Sequence, residues 1–475
     1  MLFPTIDFAV FFVIVLTGSW LLMPRRGRWK LFMLVASYVF YGWWNVRFVG
    51  LIMVVTLINH LGATAISRLP VGRTRSLVLT GTVTADLLIL GFFKYYGFFV
   101  SSVANAFASL GIDVGLPLLQ IVLPVGVSFF TFQAISYVVD VHRGDTQAVP
   151  LLDTAVYLAF FPQLVAGPIV RASELMGQLR TRQDPRSVDA ARGFWLIGAG
   201  MFKKVVVANL LATELVDRVF ANPERFNAFE VLLAVYGYAI QIYADFSGYT
   251  DIAIGVALLM GFRFPDNFNR PYAAVTLQDF WRRWHMTLSR WLRDYLYIPL
   301  GGSRGGGPRT TERNIMITML LGGLWHGAAW NFVLWGGIHG AWQVLERRGL
   351  LLGGADPQGT RTKVLRGVIT FHVVCVAWVF FRAETFTVAT SLFGRLVTGL
   401  TATPALDPTV PYWWLPLVII ASLAVQLVPG DVGDRFMALF SRRGMAFQGV
   451  ALAGFLLVVE TLGPVGVAPF IYFQF

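Results

Sequence analysis

The feature that most constrains this chain is the recurrence of long apolar runs joined by short basic links. A helix needs about 20 predominantly apolar residues to cross the hydrocarbon core of a bilayer. Such runs fall at 6–24, 31–46, 48–67, 76–100, 119–140, 193–213, 228–260, 314–346, 364–381, 411–428 and 447–472. Some are unusually long or interrupted, so an all-α polytopic membrane protein of roughly ten to twelve membrane segments is expected, re-entrant helices included. The 475 residues are 56% hydrophobic and 13% charged, against about 25% charged in soluble domains. A soluble enzyme, a disordered scaffold and a fibrous repeat are thereby excluded.

The net charge of +12 has the same origin. Most of the excess Arg lies in the links, the pattern of positive-inside topology rather than of nucleic-acid binding. Residues 1–7 lack Lys and Arg, and Arg25, Arg26, Arg28 and Lys30 follow the first apolar run. A secretory signal has the reverse order, so the first segment is expected to be retained. Placing these residues with Arg68, Arg73 and Arg75 in the cytoplasm puts the N-terminus outside. Two stretches resist simple threading. Residues 151–167 end at Gly167-Pro168, and the link after them is as basic (Arg171, Arg180, Arg182, Arg186) as the link before, which predicts a re-entrant segment. Residues 314–346 likewise lie between basic links at 304–313 and 347–348, and there the topology stays open. Both irregular stretches point to a central cavity. The whole chain, 1–475, reads as one integral membrane domain. The GGSRGGG run at 301–307 lacks the Lys and Ser/Thr of a phosphate-binding loop and reads as a flexible turn.

The densest polar region runs from Arg263 to Arg313, with nine Arg against Asp266, Asp279, Asp294 and Glu312. Within it, 278–297 has helical periodicity. Trp281, Trp284, His285, Leu288, Trp291, Leu292 and Tyr295 share one face, and Arg282, Arg290 and Arg293 the other. One reading is an interfacial anchor whose Arg meet lipid phosphates. The other is a helix lining the mouth of a cavity, its Arg facing an anionic cofactor. Periodicity favours the anchor, whereas an imidazole on the aromatic face requires a partner.

His326 and His339 sit in an apolar stretch among Trp325, Trp330 and Trp335. An ionisable group at membrane depth is costly and is a functional candidate by default. On one continuous helix these two histidines face opposite ways, about 220° apart, and share a site only if the glycines break it. The six His form no HxxxH or HExxH pair, so no metal is expected. The lone Cys375 reads as an apolar-core residue. In 238–255, Gln241, Asp245 and Gly248 form one helical stripe. Asp245 there can bind a cation, relay protons or tie two helices together.

These motifs carry a resemblance. DFWRRWHMTLSRWLRDYLYIPLGG (279–302) followed by GGLWHGAAWNFVLWGGIHG (322–340) resembles the membrane-bound O-acyltransferase family, in particular its bacterial polysaccharide branch that includes the membrane subunit of alginate O-acetylation. The similarity extends over about 30–385 through GFFKYYGFF, FPQLVAGPIVR, MFKKVVVAN and QIYADFSGYTDIAIG. Residues 386–475 add membrane segments without a motif. The resemblance implies helices around a tunnel or funnel, with the family's essential histidine at His326 and a second one at His285. It also implies acetyl transfer from cytoplasmic acetyl-CoA, a substrate and not a bound cofactor, to an exported polysaccharide. The partner it implies is an exported serine-hydrolase-like acetyltransferase, and the setting is the bacterial inner membrane. His326 is then the base, as suits an imidazole near neutrality, and His285 orients or hydrogen-bonds the acyl group. Arg282, Arg290 and Arg293 are candidates for the donor phosphates, and Trp284, Trp325, Asn331, Asp245 and Gln241 complete the substrate-binding set. The rival readings are D-alanyl transfer to a cell-wall polymer, a transporter or flippase, and a scaffold for polysaccharide export.

Overall fold

The computed structural model of the chain describes residues 1–165, 167–351, 359–399 and 406–462, and among these the regular structure is entirely helical. Among the described residues, five helices are long and apolar enough to cross a membrane: Arg47–Arg68, Arg73–Ala108, Ala190–Ala221, Ala228–Leu259 and Thr360–Arg382. This is a multi-pass membrane protein. The described residues divide into two compact units: Met1–Asp189 with Val256–Pro265 and Gly327–Ala329, and Ala190–Gly255 with Asp266–His326 and the chain from Trp330 onward.

The first unit is built from α1 (Ile6–Leu22), α2 (Arg26–Gly42), α3 (Arg47–Arg68), α4 (Arg73–Ala108), α5 (Val127–Arg143), α6 (Leu151–Ala159) and α7 (Ala172–Arg180). The predicted span 119–140 starts late. The chain is not helical from 112 to 124, and α5 begins only after Pro124 and a left-handed Gly126. The expected re-entrant stretch is the nine-residue α6 followed by the single turn Phe161–Leu164. Nine residues rise about 14 Å, less than half the bilayer core. Its backbone is satisfied inside the protein, Phe161 N–H donating to Ser37 Oγ at 3.2 Å and Gln163 Nε2 to Tyr157 O at 2.7 Å.

The second unit holds α8 (Ala190–Ala221), most of α9 (Ala228–Leu259), α10 (Leu277–Arg283), α11 (Met286–Leu292), α12 (Gly307–His326), α13 (Trp330–Arg347), α14 (Thr360–Arg382) and α15 (Phe386–Thr398). The helices Leu415–Leu427, Asp431–Ser441 and Met445–Leu462 follow. Residues 463–472 of the last predicted span lie outside the described residues. α8 and α9 approach through glycines. A Cβ on Gly200 would stand 2.5 Å from Gly248 O, and one on Gly255 2.6 Å from Gly193 O.

The stretch 314–346 resolves as an antiparallel hairpin of α12 and α13, turning at 327–329. Arg348 pairs with Glu312 at 2.5 Å, so both basic links meet at the open end of the hairpin. Its two arms interlock where a Cβ on Gly323 would overlap Phe332 O, and one on Gly336 would overlap Met319 O. Gly336→Ala is therefore expected to lower the thermal midpoint of the detergent-purified protein, at a cost of about 1–3 kcal/mol. Gly337→Ala, whose Cβ meets only Leu320 Cδ2 at 3.7 Å, should leave it near wild type.

Candidate active site

The site is assembled where α10, α11, the α12–α13 hairpin, α9 and α14 meet. The sequence reads 278–297 as one helix, but it is broken. α10 ends at Arg283, Trp284 is extended, and His285 adopts the left-handed conformation at φ 42° before α11 begins at Met286. The cause lies 18 residues upstream. Asn267 O accepts from Met286 N–H at 2.9 Å, its Oδ1 accepts from Thr287 N–H at 3.1 Å, and Asn269 N–H donates to Arg283 O at 2.8 Å. The segment around Asn267 thus satisfies backbone groups that the break would orphan. His285 is turned fully inward, 4.7 Å from the Phe246 ring, and its Nδ1 lies 3.2 Å from Asn267 Oδ1.

His326 ends α12. The rings of Trp325 and Trp335, each 5.0 Å away, and Phe381, 5.3 Å away, meet it close to edge-on. Trp325 also lies 6.0 Å from His285, so one indole touches both candidate histidines. The expectation that His326 and His339 face apart holds only for a continuous helix. The turn at 327–329 folds α13 back, and the His339 ring sits 4.6 Å from the same Trp335 ring that meets His326. His339 Nδ1 accepts from Trp281 Nε1–H at 3.3 Å, which gives this buried imidazole a structural task.

Arg282, Arg290 and Arg293, although split between two helices and a π-helical turn, all line one cavity of about 420 Å³ together with Trp281, Met286 and Arg347. A second hollow of about 500 Å³ shares Gln278, Ile315, Gln343 and Arg347 with it, so the two are adjacent. Trp281 links this basic hollow to the histidines. It lines the cavity and meets Trp335 at 5.7 Å, one ring away from His326. Hollows of this size accommodate organic ligands, and four guanidinium groups suit phosphates.

The remaining candidates make the following contacts. Trp284 is wholly buried among Phe268, Phe280 and Trp378 as a wall of the cluster. Asn331 Nδ2 donates to Ala383 O at 2.8 Å and ties α13 to the end of α14. Asp245 pairs with Lys204 of α8. Gln241 stands one turn earlier, half-buried, with its Oε1 enclosed. The Asp245–Gly248 stripe is therefore the α8–α9 seam, while Tyr243 and Phe246 are the α9 residues that reach the cluster. Sequence reasoning missed Asn267, Lys204, Arg347 and Phe381. Lys204, a cation within an apolar run, is the one that carried a visible signal.

The family model of membrane-bound O-acyltransferases matches residues 144–382, a stretch that includes every one of these groups. A probable alginate O-acetylase from Azotobacter vinelandii is 44% identical over 400 residues, covering 83% of this chain and 78% of its own. The peptidoglycan O-acetyltransferase of Helicobacter pylori is 36% identical over 388 residues, covering 75% and 71%. The teichoic acid D-alanyltransferase of Bacillus subtilis is 28% identical over 279 residues, covering 55% and 69%. The chain belongs to the membrane-bound O-acyltransferase family and is an O-acyltransferase.

Proposed function

We propose that this protein takes an acetyl group from cytoplasmic acetyl-CoA and moves it through the bacterial inner membrane for O-acetylation of an exported or cell-surface polysaccharide. The observation that carries the reading is the route of contacts from the four-arginine hollow through Trp281 and Trp335 to His326. It joins a place for a phosphate-bearing donor to a place for a base. His326 removes the proton of the accepting hydroxyl as its oxygen attacks the thioester carbon. The new C–O bond forms, the C–S bond breaks, and the proton leaves with the thiolate as free thiol. His285 orients the substrates beside Trp325. Relatives named for alginate and for peptidoglycan acetylation both support a glycan as final acceptor. Since acetyl-CoA is cytoplasmic and the glycan is exported, the acetyl group passes along the tunnel that the family resemblance implies to an exported serine-hydrolase-like partner. D-alanyl transfer is the second reading, and its relatives match at lower identity over a shorter stretch. The transporter and scaffold readings give way to the family's chemistry.

The test is reconstitution in liposomes with labelled acetyl-CoA on one face, following label that becomes ester-bound to an acceptor. No transfer from acetyl-CoA, with transfer from a D-alanyl carrier instead, would overturn the donor. In the same assay Arg347→Gln is expected to raise KM for acetyl-CoA roughly 10-fold or more, the worth of one charge-assisted hydrogen bond, with kcat little changed.

A further inference from the structure

The hydrogen bonds around Asn267 fix something about His285 that its position alone does not. Asn267 is buried, at 1% exposure, between α9 and α10. The N–H of Thr287 can only donate, and it points at one atom of the Asn267 carboxamide from 3.1 Å, so that atom is the oxygen. The Thr287 hydroxyl donates to the same oxygen at 2.8 Å. The amide NH2 is thereby turned the other way, toward Thr250 Oγ1 at 3.4 Å. The third group on the oxygen is His285 Nδ1, at 3.2 Å. An amide oxygen accepts and cannot donate, so Nδ1 carries the hydrogen. In the neutral ring the lone pair is then on Nε2.

We infer that Asn267 is a positioning residue that holds His285 in its Nδ1–H tautomer, so that His285 meets the substrates through Nε2 as a hydrogen-bond acceptor. Its partner is an O–H or N–H other than the proton that His326 removes, as on the amide arm of the thioester donor. The acyl carbonyl, itself an acceptor, is not its partner. One residue performs both tasks. The Asn267 contacts that cap the start of α11 also impose the left-handed turn at His285, so the ring's direction and its tautomer are set together. The acceptor role rests on the reading that His285 touches substrate; the tautomer does not.

The experiment has two arms. Full-length protein labelled with 15N-histidine in lipid bilayers gives ring-nitrogen shifts that separate the tautomers, with the His285 signal assigned by its loss in His285→Gln. Wild type and Asn267→Asp, which keeps an accepting oxygen, are expected to show Nδ1–H. Asn267→Leu should gain Nε2–H. If Asn267→Leu does not fold, the other two spectra decide, and an Nε2–H signal for wild-type His285 overturns the inference. The second arm compares acetate on cell-surface polysaccharide for His285→Gln and His285→Asn at matched membrane levels. The Gln carboxamide reaches the place of Nε2 and can accept there, whereas that of Asn reaches only the place of Nδ1. Gln is expected to retain roughly tenfold more activity than Asn, the worth of one hydrogen bond. Asn equal to or better than Gln overturns the acceptor role, and wild-type activity in both does so by removing His285 from the substrates. Neither result touches the tautomer measurement.

Discussion

Replacing His326 by alanine is expected to lower acyl-transfer turnover about 10²–10⁴-fold, the usual contribution of a positioned general base. The loss should fall on kcat, because the arginines proposed to hold the donor line the hollow at Trp281, two rings away. His326→Gln separates chemistry from packing. Glutamine fills much of the space between Trp325, Trp335 and Phe381 and can hydrogen-bond, but it cannot take up a proton near neutrality. A structural His326 predicts that Gln rescues activity, and a base predicts that Gln is as inactive as Ala. Turnover in the liposome assay, with folded yield by size-exclusion chromatography as control, distinguishes the two.

Lys204→Met is expected to cost about 3–5 kcal/mol of stability, with most of the folded protein lost. Lys204 and Asp245 are both nearly inaccessible, 2% and 4% by side chain, on helices pressed together through Gly200 and Gly248. Removing either partner leaves a charge with no solvent to receive it. Asp245→Leu should fail comparably, and Lys204→Met with Asp245→Leu should recover much of the loss, because an apolar pair of similar volume costs no desolvation. Thermal midpoints of the four proteins form a double-mutant cycle. Two additive losses would mean that the charges act separately, which would return Asp245 to the candidate substrate set.

Much of this architecture is legible in the residues. Apolar run length finds the long helices, and equal basic flanks single out 151–167, where the chain forms a nine-residue helix followed by a single turn. The same charge pattern flags 314–346, but a hairpin and a broken span look alike until Gly323 and Gly336 are seen to lock two arms together. The reading of 278–297 fails for a physical reason. Helical periodicity continues through Trp284 and His285, while the break is imposed from outside by Asn267. No local signal announces a left-handed histidine, since non-glycine residues seldom adopt that conformation. The arginines still converge, because the break and the π-helical turn at Arg293–Tyr297 bring Arg282, Arg290 and Arg293 to one hollow that a straight helix would have presented as a stripe. Asp245 shows the opposite case. Its helical stripe is legible in the sequence, and only the partner helix reveals that Asp245 meets Lys204.

The central claim is tested most directly by measuring polysaccharide-bound acetate in cells carrying wild type or His326→Ala at matched membrane levels. The account predicts that the acetate disappears with His326→Ala while the protein stays folded, and the glycan that loses it is the acceptor. Unchanged acetate would contradict the account and remove His326 from the chemistry.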